Sequence, residues 1–154
     1  MDSIEQLKFD LEKAYAKISE LEKNTCFNDL FLTIFNTSPV PFVLSDVKST
    51  IIHANDAFVN LYGYGASETS TLDAWWVKVL PNNYFRECVL RSWQKKRIDS
   101  EKMNTRFEPM QLTIQCKNGF KRTVLGSAVP LQNGGASIIL NIFYDITELE
   151  HQND

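Results

Sequence analysis

The stretch MQLTIQCKNGFKRTVLGSAVPLQNGGASIILNIFYDIT, residues 110–147, decides the fold. Met110, Leu112, Ile114 and Cys116 alternate with Gln111, Thr113, Gln115 and Lys117, the period of a strand with one buried and one wet face. Asn118-Gly119 then supplies the two-residue hairpin signal, in which both positions take positive φ. Phe120 to Leu131 is the returning strand, Gln132 to Gly135 turns the chain again, and Ala136 to Tyr144 is a third strand. In that strand Ile138, Leu140, Ile142 and Tyr144 fall on one face, and Ile139, Asn141 and Phe143 on the other. A strand apolar on both faces must be covered twice. Helices between Asn55 and Arg97 are the expected cover for one face, and N-terminal helices for the other.

Upstream, Phe42 to Leu44 is a short strand ended by Ser45-Asp46, and Val47-Lys48-Ser49 turns into a second strand from Thr50 to His53. Asn55 is a good N-cap for a helix carrying Phe58, Val59, Leu61 and Tyr62, closed by Gly63-Tyr64-Gly65. Between Ala66 and Leu80 the cap-type residues Ser67, Ser70, Thr71 and Asp73 predict short helical turns. Pro81-Asn82-Asn83 opens a longer helix with the face Phe85, Cys88, Val89, Ser92 and Trp93, ending at Lys95-Lys96-Arg97. Those three cations complement the dipole at a helix C-terminus and need no nucleic acid to explain them. Two short strands, a helical segment and a three-stranded antiparallel meander make an α+β domain built on one sheet.

The N-terminal residues differ. Residues 1–24 hold no Gly or Pro, and Ile4, Leu7, Leu11, Ala14, Ile18 and Leu21 follow a 3-4-3-4-3 spacing. Ile4, Leu11 and Ile18 at a, with Leu7, Ala14 and Leu21 at d, favour a parallel two-stranded coil, and Lys17 at g is placed to meet Glu22 at e of a partner chain. A single amphipathic helix lying on its own domain has the same pattern over so short a run. Asn24-Thr25 interrupts the heptad, and Phe27, Leu30, Phe31, Ile34 and Phe35 mark a second short helix stopped by Asn36-Thr37-Ser38-Pro39. The expected organisation is a dimerisation helix over 1–24, a globular domain over 25–147 and the start of a further helix over 148–154.

Composition narrows the function classes. The chain has 154 residues, 44% of them hydrophobic, and ten Phe with three Trp suffice for a sizeable core. A net charge of -3 gives no electrostatic reason to expect nucleic acid or an anionic membrane surface. No stretch reaches the ~18 uninterrupted apolar residues of a spanning helix. Cys26, Cys88 and Cys116 are odd in number and without a CxxC pair, which fits a reducing cytoplasm. Those cysteines with His53 and His151 do not cluster as zinc ligands do, so no metal is expected.

Several segments resemble one family. Ser38-Pro39-Val40-Pro41-Phe42-Val43-Leu44-Ser45-Asp46, then Ile51-Ile52-His53-Ala54-Asn55-Asp56-Ala57-Phe58 and Leu61-Tyr62-Gly63-Tyr64, are similar to the N-terminal half of a PAS domain. Lys117-Asn118-Gly119 resembles the family's hairpin, and Asp145-Ile146-Thr147-Glu148 its terminal Asp-Ile-Thr signature, where the last strand runs into an output helix. The resemblance spans about Phe27 to Glu150 and implies a five-stranded antiparallel sheet with helices on one face, enclosing a small pocket. It also implies a sensory or regulatory domain of bacterial signalling proteins, non-catalytic and cytoplasmic. Such a domain acts as a homodimer, with an output domain such as a histidine kinase or cyclic-dinucleotide-synthesising enzyme linked in the parent protein.

On that reading Asn55, Cys88, Ile114, Ile139, Asn141 and Phe143 line the ligand pocket, and Asp145, Ile146 and Thr147 relay its state. The identity of any ligand is not legible. The photosensory flavin-binding members need a reactive Cys in an Asn-Cys-Arg-Phe-Leu-Gln-like run, which Arg86-Glu87-Cys88-Val89-Leu90-Arg91 is not. The haem-binding members use a His in the long helix, and none lies between Asn82 and Arg97. Covalent flavin and haem are thus both disfavoured. The alternatives are a ligand-free interaction module whose pocket its own side chains fill, and a small α+β enzyme. The enzyme reading lacks a Ser-His-Asp, Cys-His, HExxH or phosphate-loop arrangement.

Overall fold

The computed structural model describes the backbone of residues 2–65, 67–133 and 136–152, and side chains over the same ranges except 24–27, 132, 133, 136 and 150–152. The chain divides between Asn36 and Thr37 into two units.

The first unit is helical. Helix α1 runs from Ser3 to Thr37 without a break. The expected interruption at Asn24-Thr25 is absent, because Asn and Thr in a helix interior each cost only about 0.7 kcal/mol or less, and no Gly or Pro stands nearby. What changes there is the apolar face. At about 100° per residue, Leu30 stands about 140° around the helix from Leu7, so Leu30, Phe31 and Ile34 lie nearly opposite the Leu7–Leu21 stripe. One continuous helix therefore carries two apolar stripes on different sides.

The second unit holds β1 (Phe42–Asp46), β2 (Ile51–Ala54), α2 (Asp56–Tyr62), α3 (Leu72–Val79), α4 (Asn83–Met103), β3 (Met110–Gln115), β4 (Lys121–Asn133), β5 (Ala136–Asp145) and α5 (Thr147–Gln152). The five strands form one antiparallel sheet in the order β2-β1-β5-β4-β3. The doubly apolar strand is the central one, β5, and Ile139, Asn141 and Phe143 are its buried face.

Local chemistry sets the helix ends. Asn55, Thr71 and Asn82 cap α2, α3 and α4, each accepting a backbone N–H three residues on. The cap-rich segment is thus one helix begun by Thr71. Helix α4 continues past Lys95-Lys96-Arg97 for six more residues, since Ile98 to Met103 contains no breaker, and it stops where Asn104 turns left-handed at φ 51°. Its buried stripe is narrower than expected: Val89, Trp93 and Ser100 are buried, whereas Phe85, Cys88 and Ser92 are exposed.

The β3–β4 hairpin also departs from expectation. Cys116 N–H bonds Phe120 C=O at 2.9 Å and Gly119 N–H bonds Cys116 C=O at 2.9 Å, so Lys117-Asn118-Gly119 is a three-residue loop. Only Gly119 takes positive φ (88°), the geometry of a type I turn closed by a left-handed residue. The turn expected over Gln132–Gly135 falls outside the described residues at 134 and 135.

Aromatic rings fill the space between the sheet and helices α2–α4. Trp75 lies 4.7 Å from Phe143, 5.1 Å from Phe58 and 5.0 Å from Trp76, centroid to centroid. Trp93 stacks on Phe143 at 5.7 Å and meets Phe107 at 4.8 Å. Gly126 is required here, because a Cβ would come within 2.8 Å of the Trp93 ring.

Candidate functional site

Three groups of side chains stand out in the second unit. The first is Asn55, wholly buried between β2 and α2. Its Oδ1 accepts the N–H of Phe42 at 2.9 Å and of Phe58 at 3.1 Å, and its Nδ2 donates to Val40 C=O at 2.8 Å. One amide thus caps α2 and holds the start of β1. The sequence placed it at the strand-to-helix turn; the grip on Val40 and Phe42 needed the fold.

The second group is the buried interior. Ile114, Ile139 and Phe143 face it from β3 and β5, together with Phe58, Tyr62, Trp75 and Trp76 from the helices. Asn141 is there too, and its Nδ2 donates to Ser45 Oγ at 2.9 Å and Val43 C=O at 3.2 Å, tying β5 to β1. Cys88 does not join the group: it is exposed on α4, because the stripe of that helix facing the sheet passes through Val89 and Trp93. The Tyr62 hydroxyl donates to Phe143 C=O at 2.6 Å. Burial, reinforced by the negative charge of Asp145, pushes the Tyr62 phenol above its ordinary range. The indole Nε1 of Trp75 has no acceptor among the described residues.

The third group closes the end of β5. Asp145 Oδ2 accepts Arg122 Nη1 at 2.7 Å, and Asp145 Oδ1 accepts the Thr147 N–H at 3.1 Å and the Thr147 hydroxyl. Thr147 Oγ1 in turn accepts the Thr123 N–H at 3.0 Å, and Ile146 N–H bonds Thr123 C=O at 2.9 Å. Asp145, Ile146 and Thr147 therefore clasp the first residues of α5 to Arg122 and Thr123 on β4. The Cys116 thiol, buried beside Arg122, is pushed up by burial, with the guanidinium acting against that shift.

Sequence reasoning missed Arg122, Thr123 and Tyr62. The signal for Arg122 lies in the register: with Asn133 paired to Ala136, Val124 stands opposite Asp145 and Arg122 diagonally across. Nothing local marks Tyr62, whose partner is 81 residues away.

Among the described residues, no helix is long and apolar enough to cross a membrane.

A family model described as PAS domain matches residues 39–148. The structure is similar to that of an RNA-binding light-oxygen-voltage receptor, with a TM-score of 0.63 and 16% identity, over 84% of this chain and 36% of that one. This chain thus spans about a third of that receptor's length. It is also similar to a PAS domain of a Colwellia psychrerythraea protein, with a TM-score of 0.61 and 18% identity, over 79% and 98% of the two chains. A PAS domain from a two-component sensor histidine kinase gives 0.57 and 13%, over 82% and 98%. No curated protein matches the chain.

Proposed function

Because the chain belongs to the PAS domain family, we propose that it is a non-catalytic sensory and regulatory module which relays a conformational state through helices at both ends of a homodimer. The clasp at Asp145–Thr147 carries this reading. It joins β4 to the first turn of α5, so a shift of the sheet pulls directly on the chain that leaves it. At the other end, Ile4, Leu7, Leu11, Ile18 and Leu21 are each more than half exposed on α1, as a helix awaiting its parallel partner requires. An output domain linked after α5, such as a histidine kinase or a cyclic-dinucleotide-synthesising enzyme, would receive the shift. The free thiols of Cys88 and Cys116 suit a cytoplasmic site for the whole assembly.

The packed rings of Phe58, Tyr62, Trp75 and Phe143 favour an interior occupied by the domain's own side chains, with assembly rather than a captured compound as the input. A second reading, a small ligand held in the interior, is favoured by the unsatisfied Trp75 Nε1, which a compound bringing an acceptor would pair. Equilibrium sedimentation of the chain at tens of micromolar tests the relay, with a dimer expected; a monomer sinks it. Native mass spectrometry after mild purification separates the two interiors. A retained small molecule in one-to-one ratio overturns the self-packed one.

A further inference from the structure

The two edges of the sheet are treated differently. The β2 edge is covered: Ile51 N–H bonds Ser70 C=O at 3.0 Å, Leu72 N–H bonds Ser49 C=O at 2.8 Å, and Thr50 bridges Thr71. The other edge is β3. In an antiparallel pair, residues alternate between those bonded to the partner and those whose backbone groups point away. Cys116 is bonded to Phe120, so Ile114 and Leu112 are the next bonded positions, opposite Arg122 and Val124. Thr123 confirms the parity, because its N–H and C=O turn toward Thr147 and Ile146. The N–H and C=O of Thr113 and Gln115 therefore point out of the sheet, and no described residue bonds them.

Natural edges are blunted by charge, proline or a bulge. The sequence Met110-Gln-Leu-Thr-Ile-Gln115 has no charge and no proline, and its pairing with β4 runs without a register shift. Beside it lies a cavity of about 240 Å³ walled by Val79, Leu80, Pro81, Phe85 and Ile114, with Lys121 at its rim. That is below the roughly 300–1,000 Å³ of small-molecule sites and suits a single side chain. Lys121 is the only charged residue in the lining, and it takes part in no ion pair among the described residues.

We propose that the β3 edge with its adjoining cavity docks an extended peptide strand of a partner protein, one that places an apolar side chain in the cavity and a carboxylate beside Lys121. The open groups of Thr113 and Gln115 supply the main-chain bonds of a sixth strand, and the cavity supplies selectivity for alternate side chains.

The probe is the capped peptide TVTLEVT titrated into the full chain. Backbone amide resonances of Thr113 and Gln115 are expected to shift saturably, with exchange slowed at least about tenfold, while the amides of Leu112 and Ile114 stay as they were. Thr113→Pro removes an outward N–H that the β4 ladder does not use, so the fold survives and affinity falls about tenfold, the worth of one lost hydrogen bond. Phe85→Lys and Lys121→Glu test the cavity and its rim on an intact edge, and each is expected to weaken binding several-fold. No binding at millimolar peptide overturns the proposal, as does binding indifferent to Thr113→Pro in the folded variant and to Phe85→Lys. Protection of the Thr113 and Gln115 amides that grows with protein concentration, without peptide, also overturns it and gives the edge to a second copy.

Discussion

Helix α1 and the helix-sheet interior are both rich in large apolar side chains, yet they handle them oppositely. On α1, Leu7 and Tyr15 are 67% and 65% exposed; in the interior, Phe58, Tyr62, Trp75 and Phe143 are at most 1% exposed. A 35-residue helix can bury one stripe only against something else. The interior closes on itself, because a five-stranded sheet and three helices enclose a volume that seven rings fill. The interior thus supplies the domain's own stability, whereas on the proposed reading a second copy of α1 supplies the cover for its stripe.

That contrast breaks most sharply at Trp75. Removing its indole opens a large cavity among four aromatic neighbours, Phe58, Tyr62, Trp76 and Phe143, and Trp75→Ala should cost about 3–5 kcal/mol and abolish the cooperative melt by near-UV dichroism. The double substitution Leu11→Glu with Ile18→Glu should do the reverse. It leaves the near-UV signal of the domain intact and lowers the sedimentation mass to that of a monomer. If that variant unfolds the domain as well, α1 is structural in the same sense as the core and the contrast fails.

Asn55 sharpens the comparison at a polar site. Asn55→Ala strands the N–H groups of Phe42 and Phe58 and the Val40 carbonyl, and should cost about 2 kcal/mol in denaturant unfolding. Asp145→Ala acts more locally. The Arg122 pair is partly exposed, so the global loss should be about 1 kcal/mol or less. Hydrogen exchange at the amides of Thr123 and Thr147 should nevertheless quicken well beyond that of the core. Exchange unchanged there would remove the clasp as a coupling element.

The sequence exposed the strands more fully than the contacts, for a physical reason. Alternation and turn residues act over two to four positions, so the meander of Met110–Tyr144 and the three caps are visible locally. The length of α1 was hidden because its apolar stripe changes side at Asn24-Thr25, which imitates a helix break. The extent of α4 was hidden because a basic run imitates a C-terminus. Cys88 was misplaced because the i, i+3, i+4 pattern is wider than the stripe that packs. Arg122 and Tyr62 belong to register and long-range packing, which become visible only once Val124 stands opposite Asp145.

A further effect of similar size is at Tyr62, and it depends on pH. Its hydroxyl is buried, donates to Phe143 C=O at 2.6 Å, and holds its proton far more tightly than a free phenol. A phenol with a raised folded pKa favours the native state wherever the unfolded chain also keeps the proton. That contribution is fully present below the ordinary value near 10 and declines above it, as the unfolded phenol ionises and the folded one does not. Tyr62→Phe should therefore cost about 1 kcal/mol at neutral pH, the worth of the lost bond, and lose less stability than the native chain between about pH 10 and 11. The stability curves of the two proteins should converge in that interval of a urea titration. Parallel curves would mean that the phenol meets water, and that the interior is less closed at its Asp145 end than around Trp75.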